Sequence, residues 1–327
     1  MNKLLIICGP TATGKTRLAL HLAKNFNGEL VSADSRQVYI GMDIGTGKDL
    51  PTAAKLKFED SVSKKKGEGF YTIDGIKVWG YDLVSPKKEF SVASYMQFAH
   101  KKIKQILKRK KLPIIVGGTG LYIKGVIDGF PTAFIPKSKR LRKALDEKEK
   151  EELFEILAQL DPLKAASLNR SDKGNPRRLI RAIEVAQWEI KRGKYKRIVP
   201  LAKTLEMLFV GLFLPQKELA KKIGLRVLER LEFGFEKEID KLREIGVRST
   251  AQSMQSLGYR QWLSDPGGTI PGDKLVMLWT REEIKYAKRQ MIWFKKDSRI
   301  HWYDSLSTDY PMNVEKLAAI WYSSKRP

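Results

Sequence analysis

The 327-residue chain contains little cysteine, little histidine and no long apolar run. Its single cysteine, Cys8, excludes an internal disulfide and is typical of a protein in a reducing compartment. The histidines lie far apart in the sequence, so no Cys/His cluster offers a zinc site. No apolar stretch approaches the length that crosses a bilayer, and the first residues are typical of a strand rather than a signal peptide. We therefore expect a cytoplasmic protein with no membrane segment.

Positive charge is what the chain has in excess. Lys and Arg number 62 against 37 for Asp and Glu, which gives a formal net charge of +25. The surplus is spread along the sequence rather than concentrated in one tail. It favours a polyanionic partner such as nucleic acid, and the alternative on charge alone is a generically basic protein.

The most specific motif follows the first apolar run. Residues 4–8 predict a buried parallel strand, and residues 9–16, Gly-Pro-Thr-Ala-Thr-Gly-Lys-Thr, match the P-loop pattern in full and lead into a helical periodicity. In such a loop, backbone N–H groups surround an anion, Lys15 adds a mobile charge and the Thr16 hydroxyl can hold Mg²⁺. The motif predicts a polyphosphate site and leaves open whether the phosphates belong to a nucleotide. The alternative is a glycine turn that happens to fit.

Two further predicted strands end near this loop. Residues 29–33 lead to Asp34, and residues 112–116 lead to Gly-Gly-Thr-Gly at 117–120. Because ligands of an open α/β sheet bind beyond the carboxyl ends of its strands, Asp34 should lie near the phosphates. There it could accept a proton, or it could merely cap a turn, and spacing does not decide between these roles. The Gly-Gly-Thr ending lacks the acidic residue of a Walker-B strand, which weakens the interpretation as an ordinary ATPase.

The pattern as a whole predicts an α/β protein with a P-loop NTPase-like parallel sheet core and a helical insertion domain. Residues 134–200 show helical periodicity and many charges, without a glycine-rich loop or a buried strand. We therefore predict a core formed by 1–133 and 201–327, whose C-terminal helices contact RNA, and an insertion at 134–200.

Several polar segments have two interpretations. The loop at 41–48, with three glycines and a lysine, is either a second anion contact or a flexible turn. Arginines at 177, 178 and 181 suit RNA phosphates or form a solvated face. The helical stripe of Lys222, Arg226 and Arg230 could likewise face phosphate or water. Residues 258–262 and 286–295 interleave basic and aromatic side chains, as in single-stranded RNA binders, although part of those aromatics could belong to the core.

Together these motifs resemble the tRNA dimethylallyltransferase family in its bacterial form. The resemblance rests on residues 9–16, 32–39 with 41–46, 117–124, 160–162, 175–185, 258–260 and 287–290. The chain departs from the family pattern at 79–81, where Trp-Gly-Tyr stands in the region of a usual histidine pair. An additional segment at roughly 57–76 precedes that departure.

The resemblance implies transfer of a dimethylallyl group from dimethylallyl diphosphate to N6 of the adenosine beside a tRNA anticodon, with Mg²⁺ as cofactor. It implies that Asp34 accepts the proton of the amine, that Thr119 lies near the adenosine and that Thr16 holds the metal. The implied diphosphate-binding residues are Gly9, Thr11, Ala12, Thr13, Gly14, Lys15, Thr16 and Arg226. The implied tRNA contacts are Asp34, Ser35, Arg36, Gln37, Arg177, Arg178, Leu179, Ile180, Arg181, Gly258, Tyr259, Arg260, Lys288, Arg289, Gln290, Trp293 and Lys295.

We thus expect a tRNA anticodon stem-loop and dimethylallyl diphosphate as partners, and a monomer. Two other classes compete. A P-loop kinase of a small metabolite would account for residues 9–16 and Asp34, but not for the helical insertion or the basic, aromatic C-terminal part. A non-catalytic RNA-binding protein would account for the charge but would leave the P-loop without a role.

Overall fold

The computed structural model describes residues 2–48, 50–51, 54–130, 132–193, 200–264 and 272–324, apart from the side chains at 62, 65 and 66. The chain divides into two compact units. The first comprises residues 1–128 and 200–327, and the second comprises residues 129–199. In the part of the chain that is described, no helix is both long and apolar enough to cross a bilayer.

The first unit is built on a seven-stranded sheet in the order β3-β4-β2-β5-β1-β6-β7. The strands are β1 Lys3–Cys8, β2 Gly28–Ser32, β3 Phe70–Ile73, β4 Ile76–Trp79, β5 Leu112–Gly117, β6 Glu206–Phe213 and β7 Ile300–Asp304. Every neighbouring pair is parallel except β3 with β4. The predicted α/β class with a parallel P-loop sheet is confirmed, and β1, β2, β5 and β6 lie where the apolar runs predicted them.

Helices form the rest of the regular structure in the first unit. In the described part of the second unit, all of the regular structure is helical. Those of the first unit are α1 Lys15–Asn25, α2 Ser61–Lys66, α3 Val92–Lys108, α4 Gly120–Asp128, α10 Gln216–Glu232, α11 Phe235–Glu244, α12 Tyr259–Leu263, α13 Gly272–Phe294 and α14 Tyr310–Ser323. Those of the second unit are α5 Lys139–Leu145, α6 Lys150–Leu160, α7 Pro162–Ala166, α8 Arg170–Lys173 and α9 Pro176–Arg192. The second unit therefore contains no strand among its described residues.

The additional segment forms the antiparallel edge of the sheet. Asp74 and Gly75 both have positive φ, 50° and 79°, as a two-residue hairpin turn requires. The turn places β3 beside β4, and Lys57 extends the pairing through a bridge to Phe70. In the sequence, Asp-Gly between two apolar segments predicts a hairpin turn, and this prediction is confirmed.

The second unit has its own apolar core, in which α6 and α9 pack together. Leu153 and Leu157 of α6 meet Leu179 and Ile183 of α9 in this core. Helical spacing in the sequence places on one apolar face of this helix Leu179, Ala182, Ile183, Ala186 and Ile190. That predicted face is too long by one turn. Ile190 is 65% exposed, because the buried residues of the helix end at Ala186.

Candidate active site

A cavity of about 930 Å³ opens beyond the carboxyl ends of β1, β2 and β5, and all of its described lining residues belong to the first unit. Lys15 and Thr16 of the P-loop line it together with Asp34. Gly118 and Arg226 also line the cavity. The sheet topology produces this convergence, because the loops that follow neighbouring parallel strands emerge at the same edge.

The P-loop has the strained backbone that its glycines allow. Gly9 has φ 134°, and a side chain there would place its first carbon 2.2 Å from the Leu212 carbonyl oxygen of β6. Gly14 has φ 80° and stands directly before α1, whose first residues are Lys15 and Thr16. The helix therefore directs its N-terminal N–H groups and its positive dipole end toward the loop, as an anion site requires.

Three predicted phosphate ligands in this loop already have partners inside the protein. The buried Thr13 hydroxyl donates to the Pro10 carbonyl at 3.0 Å, and the Lys15 ammonium contacts the same carbonyl. The Thr11 amide donates to the side-chain oxygen of Gln290 at 3.0 Å. Thr13 thus stabilises the loop through its side chain, whereas Lys15 lines the cavity and has a flexible stem that can turn toward an anion.

Asp34 follows β2, where it both closes a local turn and faces the cavity. One carboxylate oxygen accepts the Arg36 amide at 2.8 Å, which closes a local turn, and the residue also lines the cavity. Thr119 is joined to the same segment: its hydroxyl accepts the Ser35 amide at 3.0 Å, and its own amide donates to the Ala33 carbonyl at 3.1 Å. The structure therefore brings the Asp34 and Thr119 loops together.

Tyr286 of α13 completes this side of the cavity and was missed from the sequence. Burial raises the pKa of Tyr286 to about 12; the nearby charge of Asp34 also raises it, and a hydrogen bond with Thr119 lowers it. The phenol is therefore neutral at physiological pH and hydrogen-bonded to a residue of the site. Its position directly before the Ala-Lys-Arg-Gln motif, one helical turn from Gln290, was the available signal.

The basic stripe on α10 splits between different environments. Lys222 is exposed, Arg226 lines the cavity, and Arg230 is buried in an ion pair with Glu283. A side chain at Gly47 would reach to 3.0 Å from the Arg226 guanidinium and closer still to Arg230. Only the lack of a side chain at this position therefore allows the loop to approach both arginines.

The loop at 41–48 does hold an anion, but the anion is Glu238 of α11. Its carboxylate accepts the amides of Asp43 and Ile44, both at 2.7 Å, and the Gly45 amide at 3.0 Å. The Tyr259 hydroxyl also donates to it. The amides at 43–45 are therefore occupied from within the protein, while Gly45, Thr46 and Gly47 line the cavity.

The predicted RNA-contacting residues of the first unit fall into two groups. Arg36, Arg260 and Arg289 line the cavity, Lys288 and Trp293 are exposed on α13, and Lys295 is exposed directly after it. Gln37 and Gln290 also line the cavity but make hydrogen bonds inside the protein: Gln37 donates to the Gly47 carbonyl, and Gln290 is hydrogen-bonded on both sides. The expectation that Tyr259 contacts tRNA through its side chain is corrected, because the ring is fully buried beside Phe235 and Trp279. Gly258 packs so closely on the Trp279 ring that a side chain there would reach to 2.4 Å.

In the second unit the predicted RNA-contacting group on α9 is likewise divided. Arg177 is exposed, and Arg178 is exposed but paired with Asp172. Arg181 donates to the Thr132 and Ile135 carbonyls and to Glu184. Leu179 and Ile180 lie in the apolar core, so their side chains offer no surface to a nucleic acid, which corrects that part of the prediction.

Fold and cavity together define a P-loop α/β protein in which a phosphate-binding loop shares one chamber with Asp34, which follows β2, and with Gly118 of the turn that carries Thr119 after β5. The family model described as "IPP transferase" matches residues 37–297, and the model described as "Isopentenyl transferase" matches residues 2–61. The chain belongs to the tRNA dimethylallyltransferase family, as the motifs predicted, which makes it a prenyltransferase.

Relatives with this name align along nearly the whole chain. The tRNA dimethylallyltransferase of Carboxydothermus hydrogenoformans is 36% identical over 97% of this chain and 96% of its own length, and that of Acetivibrio thermocellus is 37% identical over 92% and 91%. The solved tRNA isopentenylpyrophosphate transferase of Bacillus halodurans is 31% identical, with a TM-score of 0.68 over 98% of this chain and 97% of its own. A eukaryotic dimethylallyltransferase that acts on tRNA, 23% identical over 100% of this chain and 81% of its own with a TM-score of 0.77, shares the fold.

Proposed function

We propose that the protein transfers a dimethylallyl group from dimethylallyl diphosphate to N6 of the adenosine beside the anticodon of a tRNA. The observation that supports this most directly is that the P-loop and the Asp34–Thr119 loops line one cavity. A leaving diphosphate and an incoming amine can thus be held against each other in one chamber. That arrangement is the main requirement of a group transfer between two substrates.

On the donor side, the bond between the allylic carbon and the diphosphate oxygen breaks. Negative charge then grows on the diphosphate, and preformed donors aimed at that charge lower the barrier. The amides at the start of α1, the Lys15 ammonium and the Arg226 guanidinium are the groups that line this part of the cavity. We assign them to the diphosphate.

Mg²⁺ fits the donor set that this cavity offers. The Thr16 hydroxyl is an oxygen donor that lines the chamber, and no described group of three or more His, Cys, Asp or Glu residues would enclose a metal completely. Mg²⁺ characteristically uses one or two protein oxygens and completes its shell with water and phosphate. When bound here, it would offset charge on the departing diphosphate.

On the acceptor side, N6 of adenine is a weak nucleophile because its lone pair is delocalised into the ring. As the nitrogen–carbon bond forms, the nitrogen must lose a proton, and a carboxylate within reach accelerates that step. We assign this role to Asp34 and assign orientation of the base to Thr119, whose hydroxyl is held by the Ser35 amide and by Tyr286. The base enters after being flipped out of its loop.

The tRNA itself would be bound by the exposed basic and aromatic side chains. In the first unit these are Arg260, Lys288, Arg289, Trp293 and Lys295, together with the half-buried Arg36 on the cavity wall, and in the second unit they are Arg177 and Arg178. Guanidinium and ammonium groups bind phosphates, and an exposed indole can stack on a base. A cytoplasmic location and a monomeric state stay predictions.

The test incubates the protein with Mg²⁺, dimethylallyl diphosphate and an anticodon stem-loop that carries adjacent adenosines. Mass spectrometry should show one dimethylallyl group on the RNA, and digestion should locate it on the target adenosine. Lys15→Ala and an RNA with guanosine at the target position are the controls, and both should give no product. Consumption of ATP with a small acceptor, without modified RNA, would instead support the kinase.

A further inference from the structure

Gln290 joins two loops that extend beyond the sheet. The parallel pairing of β1 with β5 ends at Cys8 and Gly117, and the P-loop and the turn after β5 continue from there. The side-chain oxygen of Gln290 accepts the Thr11 amide at 3.0 Å, and its Nε2 donates to the Gly118 carbonyl at 2.8 Å. One amide group of α13 therefore spans the gap between the two loops.

This bridge is buried and closely packed. Gln290 is 5% exposed, and a side chain at Gly118 would place its first carbon 2.2 Å from the Gln290 nitrogen. The turn can approach α13 this closely because residue 118 is glycine. A buried amide that lost either partner would leave unsatisfied polar groups, so both hydrogen bonds resist a change in the spacing of the loops.

The two loops carry opposite halves of the reaction. The P-loop leads to Lys15 and Thr16 on the donor side, whereas Gly118 stands directly before Thr119 on the acceptor side. Tyr286 lies one turn before Gln290 on the same helix and lines the same cavity. A single helix thus contacts the P-loop and the acceptor turn through one side chain, Gln290.

We infer that Gln290 is a positioning residue that fixes the distance between the bound diphosphate and the acceptor amine. The inference rests on the proposed function. The resemblance implies that this glutamine contacts tRNA, but its burial and its two internal hydrogen bonds assign it to the wall of the cavity. Both substrates should still bind after its removal, while the fraction of complexes with the reacting atoms aligned should fall.

Poor alignment has a second measurable consequence. Once the carbon–oxygen bond of the donor breaks, the allylic carbon must be captured by a nucleophile. If the amine is out of place, water bonds to that carbon, one proton is released and a dimethylallyl alcohol forms beside free diphosphate. The number of diphosphates released per dimethylallyl group transferred to RNA therefore reports the positioning.

Gln290→Met retains the side-chain length and removes both hydrogen bonds, whereas Gln290→Glu retains an oxygen for the Thr11 amide and loses the donor to Gly118. Gln105→Met in α3 is the matched control, a glutamine outside the cavity. We expect Gln290→Met to lower the single-turnover rate by ~10–10²-fold at saturating substrates, the cost of a misplacement near 1 Å. KM for donor and RNA should change only a few-fold, and the ratio of released diphosphate to transferred group should rise.

Gln290→Glu should fall between Gln290→Met and the wild type, and Gly118→Ala, which displaces the same bridge from its other end, should reproduce the raised ratio. An increase of KM for RNA alone would make Gln290 a tRNA contact and overturn the inference. An unchanged rate and ratio in a folded Gln290→Met protein would also overturn it. A wild-type protein that modifies no RNA would contradict the proposed function itself, which is a different outcome.

Discussion

The Asp34 side chain has a local role in a turn, and one substitution can separate this role from the chemical role that we propose for it. Asparagine still offers an oxygen to the Arg36 amide, which Asp34 accepts at 2.8 Å, but it cannot take up a proton. We expect Asp34→Asn to keep the turn and the affinity for tRNA while the single-turnover rate falls by ~10²–10⁴-fold, the usual contribution of a general base.

The matched control for this prediction is Asp60→Asn. Asp60 accepts the Ser63 amide at 2.6 Å as the N-cap of α2, so it too is an aspartate that accepts a nearby backbone amide, outside the cavity. It should leave the rate unchanged. If Asp34→Asn also reacts at the wild-type rate, Asp34 serves only the turn.

At Tyr286, a substitution can separate the effect of the hydroxyl from that of the buried ring. Tyr286→Phe removes the hydroxyl that is hydrogen-bonded to Thr119 and keeps the buried ring. One net hydrogen bond of ordinary strength corresponds to a loss of roughly 2- to 12-fold in rate. Because burial raises the pKa of Tyr286 to about 12, the ratio of mutant to wild-type rate should be constant from pH 6 to pH 10. A ratio that changes within this range would show that the phenol titrates during turnover.

Among the helices, α9 separates arginines that look equivalent in the sequence. Arg177 is exposed, whereas Arg181 donates to the Thr132 and Ile135 carbonyls at 2.7 and 2.9 Å. Arg177→Ala should therefore weaken tRNA binding and flatten the dependence of log Kd on log salt by ~0.7–0.9 per lost phosphate contact. Arg181→Ala should instead lower the melting temperature of the second unit.

Filter binding at several salt concentrations and thermal denaturation of each variant measure the two effects. A salt slope that Arg177→Ala leaves unchanged would show that Arg177 faces only water. A wild-type melting curve for Arg181→Ala would show that its three acceptors contribute nothing to stability.

The elements differ in how far the sequence could reveal them. β1, β5 and β6 are continuous apolar runs that end in glycine or proline turns, so their burial was readable. β7 was missed because it lies at the sheet edge, where only Ile300 is buried and the following residues, from His301 on, are partly or fully exposed. The sequence could not show which loops Gln290, Tyr286 and Glu238 contact. Each of these residues lies 167 to 279 positions away from its loop, and only the tertiary structure brings the two together.

At the scale of the molecule, each unit contains a buried glutamate held by arginine. In the second unit, burial raises the pKa of Glu184, but hydrogen bonds from Arg142, the Ser138 amide and Arg181 outweigh it, so the pKa lies below its usual value near 4.5. In the first unit, burial raises the pKa of Glu29, and hydrogen bonds from Arg109 and Trp79 again bring the net value below 4.5.

The direction of these pKa shifts determines whether the stability of the fold rises or falls with pH. A carboxylate with a lower pKa in the folded state binds fewer protons there than in the unfolded chain. Its stabilisation is complete at pH values above about 4.5 and is lost as the pH falls through the folded-state pKa. Both units should therefore lose stability in acid below that value.

Glu184→Gln should destabilise residues 129–193 at pH 7 and make their stability less dependent on acid, while residues of the first unit respond as in the wild type. Hydrogen exchange measured peptide by peptide between pH 7 and pH 3 resolves the two units. Glu155→Gln, an exposed change in α6, is the control. Equal acid sensitivity of Glu184→Gln and the wild type would contradict the assignment.

Glu238 also affects the state of the 43–45 loop before the substrate binds. By occupying three consecutive amides of the loop at 43–45, it gives that loop its shape during folding, before any substrate arrives. The part of the cavity wall around Gly47 and Arg226 is therefore preorganised before substrate binding. Binding of the donor therefore costs little conformational entropy in this segment. A larger part of the interaction free energy then contributes to the affinity for the substrate.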